Sequence, residues 1–136
     1  MKVLVCGDRN WYDRAYIYRC LDYLYPFITL VIEGEANGAD KISRGWAADR
    51  GVPFDPHPAD WSAYGKAAGP VRNGEMLAVG PNLVIGFHND ITRSKGTRDM
   101  LTIARRKGID TFLLPRDEEA LLTYAQQLRV AALGLT

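Results

Sequence analysis

Apolar positions fall into short continuous runs that alternate with helically spaced segments, the pattern of a parallel α/β sheet. The run Val3-Leu4-Val5-Cys6 has no polar interruption, as a strand buried on both faces requires, and predicts a first strand over Lys2 to Cys6. Ile17, Cys20, Leu21 and Leu24 then recur at helical spacing behind a capping Asp13, and Pro26 ends that helix. Thr29 to Ile32 predicts a second strand, which enters the turn Gly34 to Gly38. Ala39 to Arg50 reads as a helix with Ile42 and Trp46 inward and Gly51 as its stop. Val52 to Asp55 is a short third strand, and His57 to Gly69 reads as a long loop. Pro70 suits the first position of a helix running to about Val79, where Gly80 and Pro81 close it. Leu83 to Phe87 predicts a fourth strand, and a polar loop from His88 to Lys95 follows. A helix from Gly96-Thr97 through Lys107, with Thr97 as its cap, precedes a fifth strand over Ile109 to Leu114. Asp117 caps a last helix with Leu121, Ala125 and Leu128 on one face, and the tail from Ala131 is expected to fray. The expectation is one domain over residues 1–130, with a mainly parallel sheet of about five strands between two helical layers.

Composition narrows the class. An apolar fraction of 47% and a charged fraction of 24% are those of an ordinary globular protein. Seventeen Lys plus Arg against sixteen Asp plus Glu leave a net charge of +1. That balance offers no footprint for long nucleic acid or an anionic membrane, so neither is expected as a partner. Cys6 and Cys20 stand far apart in apolar stretches and read as buried small side chains. His57 and His88 lack partners at metal-ligand spacing, so no metal and no cofactor is expected. With no signal-peptide core at the start, the expected compartment is the cytoplasm.

In such a sheet every strand-to-helix loop opens on one edge, where ligands bind. Those loops are the residue-rich ones: Gly7-Asp8-Arg9, Gly34 to Asp40, Asp60 to Arg72, and His88 to Asp99. Gly34 and Gly38 bracket a junction whose backbone N–H groups suit a phosphate, with a tight turn as the plain alternative. Ser94 to Asp99 is a second such junction, in which Thr97 serves as helix cap or phosphate donor. Arg72 near a helix start opposes the helix dipole, which is explained if it faces an anion or is simply solvated. Asp60-Trp61 offers an indole for a base and a carboxylate for a ribose, or else a packed loop anchor. Tyr16, Tyr18, Tyr23 and Tyr25 read as packing or as a subunit interface.

Taken together, the ordered motifs resemble the SLOG superfamily of DprA-like and LOG-like Rossmannoid domains, and within it the small stand-alone YspA/cpYpsA-related branch of bacteria and phages. The resemblance covers roughly residues 1–115. It is carried by the VLVCGDR start, Glu33-Gly34 through Gly38-Ala39-Asp40, Pro58-Ala59-Asp60-Trp61, Gly69-Pro70 with Arg72-Asn73 and Met76, and Gly96-Thr97 with Asp99-Met100. It implies a Rossmann-like fold that binds a nucleotide or nucleotide-derived signal, and self-association as a dimer or higher homo-oligomer. LOG enzymes cleave the N-glycosidic bond of nucleoside monophosphates with an Arg of an Arg-Lys-x-x-Met motif and a Glu three residues after Gly-Thr. Arg72 to Met76 is similar to the first motif, whereas Met100 stands where the Glu is expected and Asp99 comes one residue early. Glu33 and Glu35 stand where LOG glycines lie.

The leading expectation is a protein that senses or sequesters a small nucleotide-like ligand. Gly7, Gly34, Gly38, Ala39, Gly96 and Thr97 would hold its phosphate, with Arg9, Arg72 and Asn73 around it. Asp60 or Asp40 would hold the ribose, and Trp61 the base. The alternative is a LOG-like phosphoribohydrolase with Arg72 positioning substrate and Asp99 or Glu35 stabilising the sugar cation. A DprA-like accessory to DNA processing ranks third.

Overall fold

The computed structural model describes residues 1–134. Its strands are β1 (Lys2–Gly7), β2 (Leu30–Glu33), β3 (Phe54–Pro56), β4 (Leu83–Phe87) and β5 (Asp110–Leu114). Its helices are α1 (Arg14–Asp22), α2 (Ala39–Arg50), α3 (Trp61–Tyr64), α4 (Ala68–Ala78), α5 (Lys95–Arg106) and α6 (Glu118–Ala132). The sheet is all parallel in the order β3-β2-β1-β4-β5. This is a Rossmann-like α/β fold.

Alternation along β1 divides the core into two layers, because successive side chains leave a strand on opposite faces. Val3 and Val5 pack with Ile17, Trp46 and Leu121 under α1, α2 and α6. Leu4 and Cys6 pack with Met76, Met100 and Leu101 under α4 and α5. All of β4 is buried, as expected for a strand covered on both faces. Gly86 in that strand lets α5 come close: a Cβ there would lie 3.2 Å from Thr97 Cγ2.

Several local expectations are corrected. The stretch from residue 57 to 69 is largely helical. Asp60 caps α3 by accepting from the Ala63 N–H, a 3-10 turn spans Gly65–Ala67, and α4 begins at Ala68 with Pro70 third in line. A proline is tolerated in a first turn because its missing N–H has no helical acceptor there. Ser94, not Thr97, caps α5, since its Oγ accepts the Thr97 N–H. The Asp117 carboxylate turns back to the Leu113 N–H and to Arg116 instead of capping α6. That helix runs through Ala132, past the expected onset of fraying, and residues 135–136 of the expected tail lie outside the described residues. Tyr16 donates to Glu118 and Tyr18 to Asp49, tying α1 to its neighbours α6 and α2.

One glycine fixes how the β1 and β2 loops meet. Gly38 has φ +73°, and an added Cβ would lie 2.3 Å from the Asp8 carbonyl oxygen. The next N–H, of Ala39, donates to that same oxygen. Gly38→Ala is therefore expected to cost about 2 kcal/mol or more, read as a lower urea midpoint.

Candidate functional site

The sheet order places the candidate site. From β1 the chain moves outward to β2 and β3, then returns to add β4 on the other side of β1. Loops therefore diverge above β1 and β4, the switch point at which open α/β sheets leave a crevice. A cleft of about 400 Å³ opens there. Cys6, Gly7 and Met76 line it from below, and Arg9, Arg72, Arg93 and Lys95 bring four cationic side chains to it. Asp8 and Asp40 are its carboxylates, and Asn73, His88, Gly96 and Thr97 complete much of the wall.

The β2–α2 loop does not present the open row of N–H groups that its glycines suggest. Asp40 Oδ2 accepts from the Gly34 N–H at 3.1 Å and the Ala36 N–H at 3.2 Å. The Glu35 N–H donates to the Glu33 carboxylate, and that of Ala39 to the Asp8 carbonyl. A carboxylate of the protein thus stands where a phosphate was expected, at the N-terminus of α2 where negative charge is favoured. Burial pushes the Asp40 carboxyl up to about 7, against the opposing pull of its two N–H donors and of Arg72.

Behind this loop a charge cluster holds its shape. Glu33 is fully buried, and burial raises its carboxyl above the usual range. Arg44 lies between the two glutamates, with Nε 3.3 Å from Glu33 and Nη2 2.8 Å from Glu35. Glu35 takes φ +62°, a left-handed conformation that turns its side chain to Arg44 and leaves it outside the lining of the main cleft.

Arg72 reaches the same loop from α4. Its Nη1 donates to the Gly34 carbonyl at 2.8 Å, and its buried Nε has no partner among the described residues. A Cβ at position 34 would lie 2.5 Å from Nη1, so any larger residue there would displace the Arg72 side chain from this seat. Among the described residues no carboxylate lies within 4 Å of the guanidinium, so its charge is uncompensated by an ion pair. Asn73 donates to the Gly96 carbonyl at 3.4 Å, joining α4 to the start of α5. There Ser94 takes the N–H groups of Thr97 and Arg98, while those of Lys95 and Gly96 have no acceptor among the described residues. Open amide donors thus lie at the start of α5, beside Arg93 and Lys95.

Comparison with known proteins agrees with this architecture. Residues 1–64 match the YspA, cpYpsA-related SLOG family. The chain is 38% identical over 116 residues to the Gene 61 protein of Mycobacterium phage D29, covering 79% of this chain and 91% of that one. The chain belongs to the SLOG superfamily. DNA processing protein A (DprA) from Streptococcus pneumoniae shares the fold, with a TM-score of 0.67 at 18% identity over 93% of this chain. This SLOG chain spans 56% of the DprA chain.

The SLOG motifs separate into those that meet and those that do not. Gly7, Arg9, Asp40, Arg72, Asn73, Gly96 and Thr97 all line the main cleft. Gly34 lies behind Arg72, and Gly38 and Ala39 support the Asp8 carbonyl from below. Asp60 is outside: its carboxylate accepts from Ser62 and Ala63, which hold it below the usual carboxylate range. Trp61 lines a neighbouring cleft of about 340 Å³ that shares Arg9, Ala36 and Arg72 with the main one. Asp99 does not line the main cleft, and Met100 is fully buried against Leu4 and Met76. Asp8, Asn10, His88, Arg93 and Lys95 were not nominated from the sequence, yet each follows the C-terminal end of β1 or β4. Their position in those loops was the available signal. His88 Nδ1 accepts the Asp90 N–H at 2.9 Å, which leaves the ring proton on Nε2.

Two outcomes follow for this SLOG domain. The folded state keeps a proton on Asp40 between about pH 4 and 7 that the unfolded chain has released, so Asp40 favours folding at low pH and that contribution is lost as pH rises to 7. Asp40→Asn should remove this part of the pH dependence, a slope of about 1.4 kcal/mol per pH unit at most, in denaturation series from pH 4 to 8. Met100→Glu, which restores the LOG-like carboxylate, should place it in the apolar layer and destabilise the fold by about 3 kcal/mol or more, with no gain of hydrolysis.

Proposed function

We propose that the chain binds a small nucleotide-derived ligand at the C-terminal edge of its sheet, in a sensing or sequestering role. The observation that carries this reading is the cationic cleft at the switch point, with Arg9, Arg72, Arg93 and Lys95 around the open N–H groups of Lys95 and Gly96. Donors of this kind suit phosphate oxygens, with Arg72 supplying a planar fork and Lys95 a point charge. The Asp40 Oδ1 atom accepts no hydrogen bond among the described residues and fits the ribose-holding role better than Asp60, which caps α3. The cleft volume, about 400 Å³, is that of a small-molecule site.

A second reading, a LOG-like N-glycosidase, keeps one specific support. Glycosidic cleavage needs a carboxylate facing a cation-like sugar, and Asp8 and Asp40 line the cleft. In this reading they replace Glu35 and Asp99. DprA is a DNA processing protein, but the net charge of +1 gives this chain no overall electrostatic attraction for a polyanion.

The test is mass spectrometry of small molecules released by denaturing the purified chain. A nucleotide should accompany the wild type and fall at least tenfold in Arg72→Ala and in Lys95→Ala. Free base released from added nucleoside monophosphates would favour the enzyme. A wild-type protein that carries nothing, and that no nucleotide stabilises against heat, would end the ligand reading.

A further inference from the structure

The main cleft has a neighbour on each side along the same sheet edge. The cleft lined by Trp61 lies among the loops that follow β2 and β3. The other, about 360 Å³, lies among those that follow β1, β4 and β5, with Tyr12, Asn89 and Pro115 in its lining. It shares Asp8 and Asn10 with the main cleft. The row thus crosses the sheet from β3 to β5, roughly 19 Å at about 4.8 Å per strand.

An aromatic ring with an open face stands at each end of the row. Tyr12 is 92% exposed and Trp61 56% exposed. Single exposed aromatics are common. These two differ in that each lines a cleft adjoining the cationic centre, and in that the chain beneath each is held. Trp11 is buried edge-on against Phe87 and donates its indole N–H to the Asp13 carbonyl at 2.9 Å. The Arg14 N–H donates to the Tyr12 carbonyl at 2.9 Å, so Tyr12 projects from a pinned turn. Trp61 opens α3 directly after its cap, and its ring end lies 3.9 Å from where a Gly69 Cβ would stand. Aromatic rings with free faces that project from a held chain offer stacking platforms for bases.

Charge divides the row in the same way. Arg and Lys gather in the centre, and the Trp61 cleft has only Arg9 and Arg72 on the side it shares. The Tyr12 cleft has no Lys or Arg among its lining residues; Asp8, Asp13, Asn10 and Asn89 supply acceptors and amides there. That lining disfavours a phosphate and suits sugar hydroxyls and the polar edge of a base.

We infer that the site takes a two-headed ligand, a dinucleotide whose linking phosphates lie at the cationic centre and whose base–sugar ends lie on Tyr12 and Trp61. This rests on reading the centre as a nucleotide phosphate site. A single strand of nucleic acid offers the same alternation of phosphate and base, and the test separates it by length and salt dependence.

The experiment is titration calorimetry of the full chain with ADP, with NAD as a two-headed probe, and with a short oligothymidylate. NAD should bind at least tenfold more tightly than ADP. Tyr12→Ala should bring NAD down to the level of ADP while changing ADP less than twofold, and Tyr12→Phe should restore NAD binding. Tyr12 packs against little, so these variants leave the core intact. Equal affinities for NAD and ADP, or NAD binding indifferent to Tyr12→Ala, would overturn the two-headed ligand while ADP binding that depends on Arg72 upheld the phosphate site. Failure of both probes to bind would overturn both readings. Oligothymidylate binding tighter than NAD and falling steeply with salt would overturn the dinucleotide in favour of a polymer.

Discussion

A buried carboxylate at position 40 accepts the N–H groups of Gly34 and Ala36, and the geometry of the whole edge depends on that contact. With the β2–α2 loop folded onto Asp40, the Gly34 carbonyl faces outward to receive Arg72 from α4. Arg72 thereby reaches the β2–α2 loop beside the cleft, and among the described residues no carboxylate lies within 4 Å of its guanidinium. The cost of burying Asp40 shows in its carboxyl, pushed up to about 7. A charge near half-titration at neutral pH tolerates an anionic ligand beside it better than a full carboxylate does.

The loop after β2 is stiffened from behind by Arg44, which binds Glu33 and Glu35 together. Such a cluster contributes more to shape than to stability, because desolvating its charges offsets much of their attraction. The opposite wall is built differently. Gly86 lets α5 approach β4, and Ser94 caps that helix while leaving the Lys95 and Gly96 amides open. One wall has Gly34 and Ala36 turned onto its own carboxylate, and the other presents the amides of Lys95 and Gly96 beside Arg93.

The departure from LOG enzymes has a packing reason. Met100 is one residue beyond Asp99 on α5, and its phase on the helix points it into the layer formed by Leu4, Met76 and Leu101. Asp99 is carried to a different side of the helix, outside the main cleft. The carboxylates that line the cleft come instead from the loop after β1 and the first turn of α2.

The strands, their parallel arrangement and the edge on which the residue-rich loops gather were legible in the linear chain. Strand runs such as Val3 to Cys6, and glycine-bearing junctions such as Gly34 to Gly38, reflect local rules of periodicity and backbone freedom. Local rules also place Arg72 and Lys95 in loops or first turns on one edge. Which donors stay open was decided only in three dimensions, because Asp40 competes for the same N–H groups that a phosphate would use, and nothing in the spacing reveals the winner. The same holds for the pairing of Tyr12 with Trp61 at opposite ends of one row. The Trp61 cleft lies on the side of β1 taken by β2 and β3, and the Tyr12 cleft is completed by loops of β4 and β5 on the other, a placement set by the sheet's winding that no local pattern encodes.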